Sequence, residues 1–208
     1  MPTEAAVDID VTVRTPVNAF KYFAFADPSG GVGDSFTLGI AHADKQAGTV
    51  VLDCLVEKRA PFNPQVATEE LAAILRSYRL STCTGDKYAA GWVIGEFAKH
   101  GISYRHSYRD RSVIYTDCIP LFTSGRARLL DNRRLVAQLA GLERRTGSGR
   151  DRIDHPPGGH DDLSNSAAGA LVSAADISQT MIVRFDPIIR GPAPHYITRP
   201  ADSGIEIW

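Results

Sequence analysis

Four aspartates stand at the boundaries of β-rich and helical runs. Asp27 closes FKYFAFAD (20–27), Asp86 closes RLSTCTGD (79–86), and Asp161 and Asp162 open HDDLSNSAAGALVSAA (160–175). Carboxylates drawn from three distant segments to one place repel each other unless a cation sits between them. Hard oxygen donors with no cysteine nearby favour Mg²⁺ or Mn²⁺ over zinc. Mg²⁺ held by a few carboxylates together with substrate phosphates suits phosphodiester cleavage, in which two ions about 4 Å apart orient a water and stabilise the leaving oxygen. Each acid also fits a plainer role. Asp27 precedes Pro-Ser-Gly-Gly and is a natural turn former. Asp86, after Gly85, suits a helix cap. One of Asp161 and Asp162 suits the positive end of a helix. His155 and His160 are possible zinc ligands, but no third ligand stands at metal-site spacing. Lys87 beside Asp86 either assists the acids or is an exposed residue at a helix start.

The surrounding elements decide whether those acids can meet. Residues 7–14 alternate apolar and polar, as a strand does. The runs 20–27, 35–44 and 49–60 are β-rich and joined by short Gly/Asp turns, which predicts an antiparallel meander. Helices are expected over 64–78, 87–101, 110–124 (with Pro120 a local objection), 132–145 and 160–175. Strands are expected over 79–86, 102–107 and 126–131, and a loop over 147–159. This order predicts an α/β fold: a mixed sheet whose first three strands are antiparallel, with helices on both faces. Strand ends and helix starts in such a sheet cluster at one edge. The small residues after the Asp pair, Ser164 to Ala170, let the last helix lie close to the sheet. Domain boundaries are expected at 1–18 (an N-terminal extension), 19–186 (one folded domain) and 187–208 (a Pro-rich tail).

Composition narrows the class. The chain has 208 residues, 43% hydrophobic and 23% charged, with net charge −1, which fits one domain with a single core and excludes a disordered chain. No apolar run approaches the roughly 18 residues of a membrane span, and the N-terminus lacks the pattern of a secretory signal. Three scattered cysteines, Cys54, Cys83 and Cys118, suit reduced thiols rather than a disulfide frame. Charge is uneven: residues 101–152 hold eleven Arg, no Lys and five acids. That balance suits a surface that meets polyanion, or else solvated helix faces with local ion pairs.

Four stretches taken together, 23–44, 84–104, 112–131 and 142–171, resemble the nuclease domain of the large terminase subunit of tailed bacteriophages, a member of the RNase H-like superfamily. HPPGGHDDL leading into a small-residue helix is the most specific of them, and D-P-S-G-G-x-x-D-S the next. The resemblance implies a metal-dependent endonuclease that cuts concatemeric viral DNA, with two Mg²⁺ or Mn²⁺ ions. It implies as ligands Asp27, Asp86 and one or both of Asp161 and Asp162, with Asp162 favoured and Asp161 as cap or second ligand. Asn165 stands where many relatives carry a further acid. The implied partners are duplex DNA, a terminase ATPase domain, a small terminase subunit and a portal, with no membrane, in the cytoplasm of a bacterial host.

No GxxxxGK[ST] motif occurs in the chain, so the implied motor would lie on another piece or another polypeptide. Arg126, Arg128, Arg144, Arg145, Arg150 and Arg152 are the candidate phosphate contacts. Three other readings stand beside this one. A Holliday-junction resolvase would use the same metals on branched DNA. A catalytically silent docking module would need no metal. The actin/sugar-kinase branch would need a second domain, for which the chain is too short.

Overall fold

The computed structural model describes residues 9–87, 91–146 and 152–180. The predicted meander is present: β2 (Tyr22–Asp27), β3 (Phe36–Asp44) and β4 (Thr49–Lys58) pair antiparallel in order. Ile9–Val13, within the segment read as an extension, forms β1 and pairs antiparallel with the second half of β4. β5 (Thr82–Gly85) joins the other side of β2 in parallel, and β6 (Ser103–His106) joins β5 in parallel. The result is a mixed sheet in the order β1-β4-β3-β2-β5-β6, with a short β7 (Ala127–Arg128) paired to β4. The Pro-rich stretch 187–208 lies outside the described residues.

Helices cover both faces, as the alternating order requires. One face packs α1 (Pro64–Ser77) and α2 (Trp92–Lys99) on Leu38, Ile40 and Val56. Asn63 caps α1, its side chain accepting from the backbone N–H of Gln65, and Pro64 takes the first helical position, where its missing N–H costs nothing. The other face packs α3 (Arg111–Thr123), α4 (Arg133–Ala140) and α5 (Asp162–Thr180) on Phe25, Leu52 and Leu55. Pro120 is tolerated in α3 because it falls in the final turn.

α5 is the helix that matters for the site, and two glycines let it approach. A Cβ on Gly39 of β3 would collide with the Ser166 carbonyl, and one on Gly169 would collide with the Phe25 ring. With Ala167, Ala168 and Ala170 buried beside them, the helix lies on the strands at backbone distance.

Four expectations change in the structure. The strand at 126–131 shrinks to Ala127–Arg128, because only that pair finds β4. The helix expected to reach residue 145 ends at Ala140, with Gly141 as its C-cap. Glu143–Arg145 then forms β8, which pairs antiparallel with β9 (Arg152–Asp154), inside the segment read as a loop. Lastly, α2 begins at Trp92 rather than at residue 87; residues 88–90 lie outside the described set.

Candidate metal centre

Register across the sheet sets the site. Asp27 pairs with Thr37, and Thr37 pairs with Glu57, so the last residue of β2 shares a row with the start of β3 and the end of β4. Side chains alternate along β2, and Asp27 follows Phe23 and Phe25 onto the face that α5 covers. On the other side of β2, Gly85 pairs with Ala26, which brings Asp86, the next residue, level with Asp27. The first turn of α5 is stitched to the same end. The Thr37 hydroxyl donates to the Asp162 carbonyl at 2.7 Å, and the Ser35 amide donates to Asp162 Oδ2 at 3.2 Å. One turn on, Asn165 Nδ2 donates to Asp27 Oδ2 at 2.8 Å.

Asp27, Asp86 and Asp162 therefore line one cavity of about 920 Å³, together with Asp34, Asp110, Asp154, Arg111 and Arg152. Burial pushes the Asp27 carboxyl up to about 7. The negative charges of Asp162, Asp86 and Asp161 push the same way, and the Asn165 amide opposes them. Burial also raises Asp162, helped by Asp34 and Asp161 and opposed by the Ser35 amide. Asn165 is itself buried, and its Oδ1 has no hydrogen-bond partner. Buried polar atoms are almost always partnered, so an orphan oxygen beside crowded acids suits a ligand the protein does not itself supply.

The neighbouring aspartates part company. Asp161 is 2% exposed. Its Oδ1 accepts from Arg111 Nη1 at 2.7 Å and its Oδ2 from the Tyr115 hydroxyl at 2.9 Å. The cap expected of it comes from its main chain: the Asp161 carbonyl accepts from the Asn165 amide and the Ser164 hydroxyl. Asp154, His155 and Asp161 offer donor atoms within 4.8 Å of one another. That trio, however, already has a cation, since Arg111 also lies 3.6 Å from Asp154. Among the described residues no arginine or lysine pairs with Asp27 or Asp162. Asp27, Asp86, Asp162 and Asn165 offer only hard oxygen donors of the kind a divalent ion takes, with no cysteine among them, whereas among the described residues the Asp154–His155–Asp161 trio is the group whose donor atoms all lie within 4.8 Å of one another.

The candidate DNA contacts scatter. Arg152 lines the cavity. Arg145 donates to the His155 carbonyl at 3.0 Å, on the hairpin that leads to the acids. Arg144 borders a separate apolar groove between α3 and α4. Arg126 and Arg128 flank Ala127, which pairs with Val50. Val50 lies seven residues along β4 from Glu57, about 23 Å at 3.3 Å per residue, so this pair sits at the opposite end of the sheet. Arg150 lies outside the described residues. His155 sits beside Asp154 and Asp161, whereas His160 sits 3.8 Å from Asp34. Sequence alone does not single out Ser35, Glu57, Arg111 or Tyr115. Their partners lie far along the chain, and only Arg111, in the arginine-rich stretch, carries any local signal.

No protein-family model and no curated protein matches the chain. Solved structures do. The large terminase nuclease from thermophilic phage G20c with bound cobalt aligns at 19% identity and TM-score 0.63, over 76% of this chain and 83% of that one. The Thermus phage P74-26 large terminase nuclease domain aligns at 21% identity and TM-score 0.63, over 77% and 83%. The HK97 bacteriophage large terminase aligns at 13% identity and TM-score 0.60, over 80% of this chain but 44% of that larger one. The G20c domain has also been solved with bound magnesium and with bound zinc. The chain has the fold of phage large terminase nuclease domains, with the mixed sheet, antiparallel in its first three strands and flanked by helices, expected from the sequence.

Proposed function

We propose that this chain is a divalent-metal-dependent endonuclease of the large-terminase type, which cuts concatemeric duplex DNA during packaging of a tailed-phage genome. The observation that carries the reading is the single cavity lined by Asp27, Asp86 and Asp162 at the sheet edge, where no arginine or lysine among the described residues forms an ion pair with Asp27 or Asp162. Asp27, Asp86 and Asp162 would hold Mg²⁺ or Mn²⁺, with Asn165 Oδ1 as a neutral fourth donor and room for two ions. A divalent ion there supplies a Lewis acid that acidifies water and offsets charge on the leaving oxygen.

The chain's own residues do the positioning. The Ser35 amide and the Thr37 hydroxyl fix the start of α5, so the Asp162 carboxylate faces the cavity. The Asn165 amide orients Asp27 through one oxygen. Arg111 and Tyr115 hold Asp161 aside, so its charge stays fixed beside the site as an anchor for α5. Burial pushes the Asp27 carboxyl up to about 7, so around neutral pH it would give up its proton readily to become an anionic ligand where a divalent ion is bound. Arg152 and Arg145 on the β8–β9 hairpin would meet the duplex backbone. The ATPase motor, small subunit and portal are the partners this role requires, and the host cytoplasm is where it would operate. Asp27→Asn tests the reading: Mn²⁺-dependent nicking of supercoiled plasmid should vanish while circular dichroism stays native. Undiminished nicking would refute the assignment.

A further inference from the structure

The acidic cavity straddles the end of the sheet. α2 packs on one face through Val93 and Phe97, and α3 and Ile153 of β9 pack on the other. Trp92, the first residue of α2, therefore lines the cavity from one side, while Arg111, Arg152 and Ile153 line it from the other. The Ile153 amide donates to the Ser112 hydroxyl at 2.9 Å, which holds β9 against the start of α3.

Size and charge limit what this space takes. A cube of about 920 Å³ is about 10 Å on a side, whereas the major groove alone of a duplex is about 12 Å wide, so one strand fits and a paired duplex does not. Among the described residues, six aspartates line the cavity against two arginines, and Arg111 is already taken by Asp161 and Asp154. Apart from a metal ion, this lining offers a polyanion little attraction. What it does offer is an uncharged surface. Trp92 is 36% exposed and is the one aromatic ring among the described lining residues. No other ring or cation among the described residues stacks on it. A lone exposed apolar side chain needs no explanation elsewhere on a surface, and Ile94, 39% exposed on the same helix, is not part of the lining. Place distinguishes Trp92. An indole face stacks on any nucleobase, but only on a base that has left its own stack.

We propose that Trp92 is a stacking platform for an unpaired base beside the cut, and that the cavity takes DNA whose strand has locally left the duplex in preference to fully paired DNA. This rests on the nuclease reading above and adds which form of the substrate reaches the acids.

Two measurements test it. The chain has two tryptophans, Trp92 and Trp208, so in Trp208→Phe protein the emission reports on Trp92 alone. With Ca²⁺ in place of Mn²⁺ to offset the acids, a single-stranded oligo-dT of about 12 nucleotides should quench that emission saturably. A fully paired hairpin should quench it several-fold less. Trp92→Ala should weaken oligo-dT binding, read by anisotropy, roughly 5- to 100-fold, the loss of one stacked base, and Trp92→Phe should retain most of it. The second measurement compares Mn²⁺-dependent cutting of a duplex carrying a short central bubble with cutting of the same sequence fully paired. Wild type should favour the bubble in kcat/KM by on the order of 10-fold. Trp92→Ala should lower that ratio at least about five-fold, whereas Trp92→Phe and Ile94→Ala should keep it. Should Trp92→Ala fail to fold, the emission of the Trp208→Phe protein decides. Oligo-dT that leaves Trp92 emission unchanged, or a bubble preference equal in wild type and Trp92→Ala, overturns the platform while leaving the nuclease reading standing. No cutting of either substrate overturns the nuclease reading itself.

Discussion

The two ends of the central sheet each carry an aspartate, Asp53 buried at one and Asp27 half-buried at the other, and each treats it differently. At the far end Asp53 sits in a β-bulge, skipped where Ile40 pairs with Cys54 and Ala41 pairs with Leu52. It meets His42 Nδ1 at 2.6 Å, Phe20 stacks on that imidazole at 3.9 Å, and the Tyr78 hydroxyl donates to the Arg14 carbonyl beside it. At the near end Asp27 receives one amide N–H from Asn165 and is surrounded by other acids. Burial raises both carboxyls, but His42 opposes the shift at Asp53, whereas neighbouring charges add to it at Asp27. Among the described residues, the one buried side-chain polar atom without a partner is Asn165 Oδ1, at the near end. One end pairs its aspartate within the fold. The other, on the function proposed here, would be completed by a cation.

The sharpest way to break that contrast is to neutralise each aspartate in turn. Asp27→Asn should lower Mn²⁺-dependent nicking by on the order of 1,000-fold, or about 4 kcal/mol. Asp53→Asn should leave nicking within a few-fold and instead cost about 1–3 kcal/mol of stability, read by chemical denaturation. Equal losses of nicking in the two variants would erase the distinction.

The same aspartate should leave a signature in the metal-free fold. A carboxyl raised from 3.8 to about 7 binds its proton more tightly when folded. Its contribution is therefore fully present below about pH 4 and is lost as pH rises through about 7. In EDTA, Asp27→Asn should melt higher than wild type at about pH 8, by at most about 4 kcal/mol for the full shift, and the gap should close near pH 4. A pH-independent gap would show that Asp27 is not held protonated by its surroundings.

Two smaller effects bear on how the near end is built. Gly39→Ala sets a methyl against the Ser166 carbonyl, a backbone atom with little room to yield. It should cost about 1–3 kcal/mol and weaken Mn²⁺ binding along with stability, because α5 carries Asp162. Asn165→Ala removes both the hydrogen bond to Asp27 and the orphan oxygen. It should reduce nicking about 10-fold or more with little change in melting temperature. Full activity in that variant would remove Asn165 from the site.

Much of the near end is legible in the sequence because the acids mark element boundaries. Asp27 and Asp86 follow β-prone runs, Asp162 opens a small-residue helix, and strand ends in an α/β sheet gather at an edge. Other features are hidden for identifiable reasons. LERR (142–145) continues an amphipathic pattern and reads as helix, but Gly141 stops α4, and β8 forms because β9 is there to pair with it. Arg126 and Arg128 belong to the basic segment by composition, yet charge counts do not say which end of a strand a residue reaches; pairing with Val50 decides that. Glu57 reads as one polar residue among many in a strand. It is buried in the in-register row with Asp27, where Arg59 and Arg134, from outside the strand, pair with it.

The central claim is that the near end, and not the far end, is built to take divalent cations. Calorimetric titration of the metal-free protein with Mn²⁺ slightly above neutral pH tests it most directly, with wild type, Asp27→Asn, Asp162→Asn and Asp53→Asn run in parallel. Saturable binding by wild type and Asp53→Asn, abolished in the other two, is the expected outcome. Wild-type protein that takes up no Mn²⁺, or Asp27→Asn and Asp162→Asn proteins that take it up undiminished, would contradict the account.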